Sequence, residues 1–197
     1  MGKEKYKNDI LALFEKSPVV SYNSISRIVK SKKKVKEYAK RIINYLIKQG
    51  RIKKITKGYY TISNNTSLAV FCFQPAYLGL QDALSFYNLW EQETIPVIIT
   101  SRNIRTGIRN ILGSNVLIKK LNNKYFFGIE YYQEDNSALP YSDMEKTFID
   151  MVYFNQPLDK GVIKEFKKRI DKKKLKAYLK QYAKILQRRV LRHLKLV

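Results

Sequence analysis

In the first sixty residues, apolar positions recur three times at helical spacing and then switch to strand-like alternation. "YKNDILALFEKS" places Ile10, Leu13 and Phe14 on one helical face, and Ser17-Pro18 ends the segment. Ser21 can cap a short second helix, "YNSISRIV", with Tyr22, Ile25 and Ile28 or Val29 inward. A third helix is expected over 33–49, stopped by Gly50. Turned at about 100° per residue, it gathers Val35, Tyr38, Ile42, Tyr45 and Leu46 in one sector, with Lys33, Lys36, Lys40 and Asn44 opposite. The next stretch, "RIKKITKGYYTI", reads as a hairpin: strand 51–55, a "TKG" turn, strand 59–62. Ile43 and Ile47 fit neither sector of the third helix and are expected near the base of this hairpin. Gly58 supplies the positive φ that such a tight turn demands. Three helices and then a two-stranded wing are the order of a winged helix-turn-helix.

"SNNTS", residues 63–67, is a polar loop and the expected domain boundary. Beyond it, "LAVFCF" reads as a buried strand, and "PAYLGLQDALSFYNLW" as a turn followed by a helix carrying Leu80, Ala83, Leu84 and Tyr87. "IPVIIT", "SNVLIKKL" and "YFFGIEYYQ" are rich in β-branched and aromatic residues and predict strands. "SDMEKTFIDMVYF" opens with Ser142 and Glu145 in capping-box spacing and continues with helical periodicity through Phe148, Val152 and Tyr153. The tail, 159–197, predicts one to three basic helices with Val162/Phe166, Leu175/Leu179 and Leu186/Val190/Leu194 inward. The expected class is α+β: a winged helix-turn-helix over 1–63, then a mixed α+β domain over 66–197 ending in those helices.

Charge adds direction to this layout. The chain of 197 residues carries a net +23, but unevenly. Residues 1–62 contribute +13, residues 63–155 contribute −2, and residues 156–197 contribute +12. Two basic ends around a near-neutral middle suggest two surfaces suited to negative charge; the competing reading is a lysine-rich solvated surface. In the first region the candidates for duplex DNA contact are Lys32, Lys33, Lys34, Lys36, Lys40, Arg41 and Asn44 on or before the third helix. On the hairpin they are Arg51, Lys53, Lys54, Lys57 and Tyr59. The helix would enter the major groove while the wing holds the backbone. Lysines give phosphate contacts, and base readout would fall to Lys36, Lys40, Asn44 and Arg41. In the tail, Lys172, Lys173, Lys174, Lys176, Arg188, Arg189 and Arg192 form a candidate second basic surface, for DNA or for a protein partner.

Other chemistries find little support. Cys72 is the only cysteine and His193 the only histidine, so neither an intrachain disulfide nor a Cys/His zinc site can form. No apolar run approaches the ~18 residues of a membrane span, no signal peptide is evident, and the cytoplasm is the expected location. Asp82, Glu130, Glu134, Asp135, Asp143, Glu145 and Asp150 could suggest a metal-dependent nuclease, with Glu145, Lys146 and Asp150 on one helix. Yet Glu145 is better explained as a cap partner, and Gly113-Ser114 lacks the nearby Asp-x-Asp pair of a nucleotidyltransferase. No cofactor, no metal and no enzymatic activity are expected.

Four stretches together, "GRIKKITKGYYTI", "PAYLGLQDALSFYNLWEQETIPVIITS", "FFGIEYY" and "ALPYSDMEKTFIDMVYF", resemble the AbiEi family over nearly the whole length. These are antitoxin-type transcriptional regulators of abortive-infection (viral-defence) operons. The resemblance implies an N-terminal DNA-binding domain, a C-terminal antitoxin domain, operon autorepression and a partner toxin of nucleotidyltransferase type. A dimer or two cooperatively bound monomers would serve paired half-sites. A toxin-neutralising module without specific DNA binding is the alternative from outside this class.

Overall fold

The structure, a computed structural model, describes residues 6–29, 35–134 and 137–195, the side chains of Val35 and Lys36 excepted. The N-terminal unit begins with α1 (Lys7–Lys16), which buries Ile10 and Phe14. β1 (Val20–Ser21) leads into α2 (Tyr22–Ile28), whose N-cap Ser21 accepts a hydrogen bond from the Ser24 N–H at 3.1 Å. α3 (Val35–Lys48) comes next, then β2 (Lys53–Thr56) and β3 (Tyr59–Thr61). The three strands form an antiparallel sheet in the order β1-β3-β2. Ile10, Ile25, Val29, Ile42, Ile43, Leu46, Ile52 and Tyr60 close one core between the helices and this sheet.

The second unit is built on a six-stranded mixed sheet. Its strands are β4 (Ala76–Leu78), β5 (Val97–Thr100), β6 (Gly107–Ile111), β7 (Ser114–Lys120), β8 (Ile129–Glu134) and β9 (Ser137–Ser142), in the order β6-β7-β5-β4-β9-β8. Strand alternation sorts the sheet residues onto two faces. Tyr77, Val97 and Ile99 point into a core with α5 (Met144–Tyr153), α6 (Lys160–Arg169), α7 (Lys172–Leu179) and α8 (Lys184–His193). Leu78, Ile98, Val116, Ile118, Leu139 and Tyr141 point into the other core, which contains the 3-10 helix Thr66–Cys72. α4 (Gln81–Phe86) lies in the connection between the antiparallel neighbours β4 and β5 and contributes Leu84 to the first core and Ala83 to the second. α5 lies between the sheet and α6–α8, with every residue from Glu145 to Val152 buried.

The N-terminal unit docks on the sheet face opposite α5–α8. Ile55 of β2 is part of the second core, and Val19 and Tyr59 pack against it. One face of the hairpin is thereby anchored on the second unit and the other left outward. The α+β class expected from the sequence holds: in the second unit the six strands, interrupted by α4, precede four consecutive helices.

Several local expectations are corrected. "LAVFCF" forms the 3-10 helix rather than a strand, because Asn65 caps it, accepting from Ser67 N–H at 2.9 Å. "YFFGIEYYQ" divides into a second 3-10 turn, Asn123–Tyr125, and β8. The Ser142–Glu145 capping box is replaced by Asp143, which caps α5 through the Lys146 N–H at 2.7 Å. Glu145 instead accepts from the Asp171 N–H at 2.8 Å, tying the start of α7 to α5. Gly128 of "FFGIEYY" permits a close approach that any side chain would block. It has φ +66, and an added Cβ would lie 2.9 Å from both Lys146 Cβ and the Tyr178 ring.

Candidate nucleic-acid interface

α3 presents its faces differently from the sequence expectation. Ala39, Ile42, Ile43 and Leu46 are buried, which is i, i+3, i+4, i+7 spacing. Tyr45, expected inside, is 43% exposed, and Ile43 takes the inward place. The outward face is therefore Glu37, Lys40, Arg41, Asn44, Tyr45 and Lys48, five of them neutral or basic and Glu37 the one acidic member. Tyr45 is held from two sides. Gln49 Nε2 donates to its hydroxyl at 2.7 Å, and the Lys7 ammonium lies 5.4 Å from its ring centroid.

The hairpin turn is fixed to α2 rather than free. The Tyr22 N–H donates to the Gly58 carbonyl at 2.7 Å, and β1 pairs Ser21 with Tyr59. Gly58 takes φ +82 with only Tyr22 Cβ near a hypothetical Cβ, at 3.9 Å; conformation, not space, demands glycine there. This tether brings Lys57 of the turn and Lys40 of α3 to the walls of one open groove of about 500 Å³. Ser21, Tyr22, Asn23 and Tyr59 also line it. Arg41 and Asn44 line a separate hollow of about 370 Å³ with Tyr38, Tyr45 and Lys48.

The remaining sequence candidates divide. Arg51 and Lys54 are exposed, while Lys53 is half-buried and donates to Asn64 Oδ1 at the junction of the two units. Tyr59 is half-buried against the second core yet still reaches the groove wall. Lys32, Lys33 and Lys34 lie outside the described residues, as does the Lys36 side chain. Tyr22, Asn23, Tyr45 and Lys48 join the surface although they are absent from the sequence candidates. For Tyr45 and Lys48 the signal is the alternative helical register that puts Ile43 inward. For Tyr22 and Asn23 there is none, since only the hairpin tether brings them beside Lys57.

In the tail, Lys172, Lys173, Lys176, Arg188 and Arg192 are exposed, but two expected members are committed elsewhere. Lys174 reaches Asp143 at 3.1 Å and Glu130 and Glu145 at 3.4 Å each. Burial alone would lower its pKa, but Asp143 first and Glu145 after it outweigh this and hold the ammonium above the usual lysine value. Arg189 donates to the Val152 carbonyl at 3.1 Å and to Asn155 Oδ1, stapling α8 to the end of α5.

The carboxylates considered for metal chemistry are engaged by protein donors. Asp150 pairs with Lys146 and accepts from the Tyr77 hydroxyl at 2.6 Å. Asp143 accepts from Tyr178 at 2.7 Å, Glu130 from Tyr132, and Glu134 from Asn65 at 3.5 Å. Asp135 lies outside the described residues. Among the described residues no three His, Cys, Asp or Glu side chains are grouped to hold a metal ion. No described helix is long and apolar enough to cross a membrane.

Asp82, like Asp150, has its carboxyl raised by burial. Burial pushes the Asp82 carboxyl up to about 7, against the lowering effect of the Val97 N–H that it accepts at 3.2 Å. A folded-state pKa above the unfolded one means that stability is fullest below about pH 4 and is lost as pH rises toward 7. Asp82→Asn keeps an acceptor for Val97 and removes the charge. The variant should match the parent near pH 4 and exceed it by about 2 kcal/mol at pH 8, a figure reduced from the full ~1.4 kcal/mol per pKa unit for residual solvent. Thermal melts at the two pH values measure this.

No known family's sequence pattern matches the chain, and no curated protein does. Its fold is similar to the crystal structure of the RV2827C protein from Mycobacterium tuberculosis. The TM-score is 0.60 at 11% identity, covering 96% of this chain and 76% of that one. At that identity the likeness speaks to fold alone.

Proposed function

We propose that the chain is a double-stranded DNA-binding transcriptional regulator whose N-terminal unit acts as a winged helix-turn-helix. The observation that carries this reading is the groove walled by Lys40 of α3 and Lys57 of the hairpin turn, tethered through Gly58 and Tyr22. A recognition helix seated in the major groove would place its flanking cation and the wing cation on the two sides of one phosphate ridge. Lys40, Lys57 and Lys54 then supply backbone contacts, and Arg41 and Asn44 face base edges. Repression results from occlusion of the promoter. The "ALPYSDMEKTFIDMVYF" and "FFGIEYY" stretches extend the reading to an AbiEi-like, autorepressing antitoxin with a nucleotidyltransferase-like toxin as its protein partner.

A salt titration of binding to a duplex of its own promoter tests the DNA reading. Neutralising roughly 6–10 phosphates should weaken affinity by about 10³–10⁵ between 50 and 200 mM salt. A flat response, or equal affinity for unrelated duplex at all salt concentrations, would remove the regulator reading.

A further inference from the structure

Apart from Lys168 and Lys174, which pair with carboxylates, the tail carries a large excess of positive charge. Residues 156–197 contain fifteen Lys and Arg against three acidic residues, and all three acids are structurally committed. Asp159 caps α6, accepting from the Val162 N–H at 2.7 Å. Asp171 caps α7, accepting from the N–H groups of Lys173 and Lys174 at 2.7 and 3.2 Å. Glu165 pairs with Lys168 at 2.6 Å. Against this background Lys172, Lys176, Lys180, Lys184, Arg188 and Arg192 keep a strict four-residue repeat, and all six are exposed. Within each helix a four-residue step advances about 6 Å along one face, so the cations form rows rather than a scatter.

Where this surface sits matters as much as its charge. α6–α8 pack on α5, and α5 packs on the sheet face that carries Tyr77 and Ile99. The hairpin docks through Ile55 and Tyr59 on the other face, with Ile98 and Ile118. The Lys40/Lys57 groove and the tail rows thus lie on opposite sides of the sheet, with α5 as a further layer between them. With helix layers stacked at roughly 8–10 Å, the tail rows and the groove are separated by the sheet and α5 and face opposite sides of the molecule.

From this we infer that the outer face of α7 and α8 is a second, independent nucleic-acid site, so that one molecule bridges two separate duplex segments. The bridging half rests on the groove reading proposed above; the second site itself does not. A protein partner fits the surface less well. Protein interfaces deplete lysine and build on an apolar centre, whereas here the large exposed apolar residue among the rows is Ile185, 75% exposed. Interfaces with nucleic acid are dominated by positive charge.

The test uses the full chain and two duplexes, one biotinylated on beads and one fluorescent. The unmodified protein should retain the fluorescent duplex on the beads at low salt. Lys176→Glu/Arg188→Glu/Arg192→Glu should reduce that retention by about tenfold or more while changing affinity for a single promoter duplex by less than about threefold. The corresponding glutamine series covers the case in which charge reversal impairs folding. Lys40→Ala/Lys57→Ala should weaken the groove site and reduce bridging by about tenfold or more, leaving the salt-sensitive, sequence-neutral binding of one duplex at the tail. If groove variants change nothing while tail variants still remove duplex binding, the regulator reading fails and the second site stands. No retention by the parent protein, retention unaffected by the tail changes, or equal loss of bridging and of single-duplex affinity in tail variants while the groove variants also weaken binding would overturn the proposal. So would poly-glutamate displacing the tail-bound duplex at lower charge concentration than competitor DNA, which would assign the face to an acidic protein.

Discussion

Asp150→Ala should remove about 3–5 kcal/mol from the folded state, the cost of leaving one member of a buried ion pair alone. Lys146 and Asp150 are both fully buried, four residues apart on α5, and the Tyr77 hydroxyl donates to the same carboxylate at 2.6 Å. Burial lowers the Lys146 pKa and raises that of Asp150, each against the opposing pull of its partner. The site thus works against charge and is held by the match between the two groups. Without Asp150, the ammonium keeps the ring faces of Tyr77 and Phe127, each with its centroid 5.5 Å away. A cation–π contact of about 2 kcal/mol at best does not replace a carboxylate. Against a total stability of about 5–15 kcal/mol, the loss should appear in urea melts as a large fall in midpoint with unchanged slope. Lys146→Met/Asp150→Leu removes both charges at once and should recover most of the loss, leaving Tyr77 unpartnered at about 1–3 kcal/mol. If the single alanine variant melted within about 1 kcal/mol of the parent, the pair would have to be water-exposed, contrary to its burial.

The helices and central strands are legible in the sequence because their signals are local. Ile10 and Phe14, the Gly50 stop, and the β-branched runs of β5 and β7 each state their conformation within a few residues. The elements that escape such reading are set by distant partners. "LAVFCF" has strand composition, but Asn65 caps it and the neighbouring core accommodates a 3-10 helix, so tertiary context overrides propensity. β6, which opens on Gly107 and carries Arg109 and Asn110, and β9, interrupted by Pro140, are weak sequence strands completed by their neighbours β7 and β8. On α3 the choice between Tyr45 and Ile43 as the inward residue turns on one step of helical phase. Size favours the aromatic as core, yet the β-branched residue is the one that fits beneath the hairpin. Glu145 keeps its role as a tie at a helix start, but at that of α7. Lys174 illustrates the general limit: a run such as "KKKLKAY" shows charge, and only the fold reveals that one of its lysines is turned inward to three carboxylates.

Lys40→Ala/Lys57→Ala should weaken binding to a promoter duplex by about 10²-fold or more at roughly 100 mM salt. A charge-assisted contact to phosphate contributes on the order of 1.5–3 kcal/mol, and the two cations come from different elements brought to one groove. Their removal should flatten the dependence of log affinity on log salt by about 2, since each phosphate neutralised contributes close to ~0.9. The loss should be the same for specific and unrelated duplexes, because phosphate contacts carry no base information. Asn44→Ala offers the contrast. It lines the neighbouring hollow on the outward face of α3 and carries no charge, so the salt slope should stay as it is. Affinity for the preferred site should fall by about 1–3 kcal/mol while affinity for unrelated DNA is kept. Fluorescence anisotropy over a salt series, with both duplexes and both variants, separates the two effects. Gly58→Val links them to backbone geometry. A β-branched residue at φ +82 would distort the turn that presents Lys57, and that variant should reproduce the Lys57 part of the loss with every charge in place. Were it to bind like the parent, the tether between the turn and α2 would have no part in recognition.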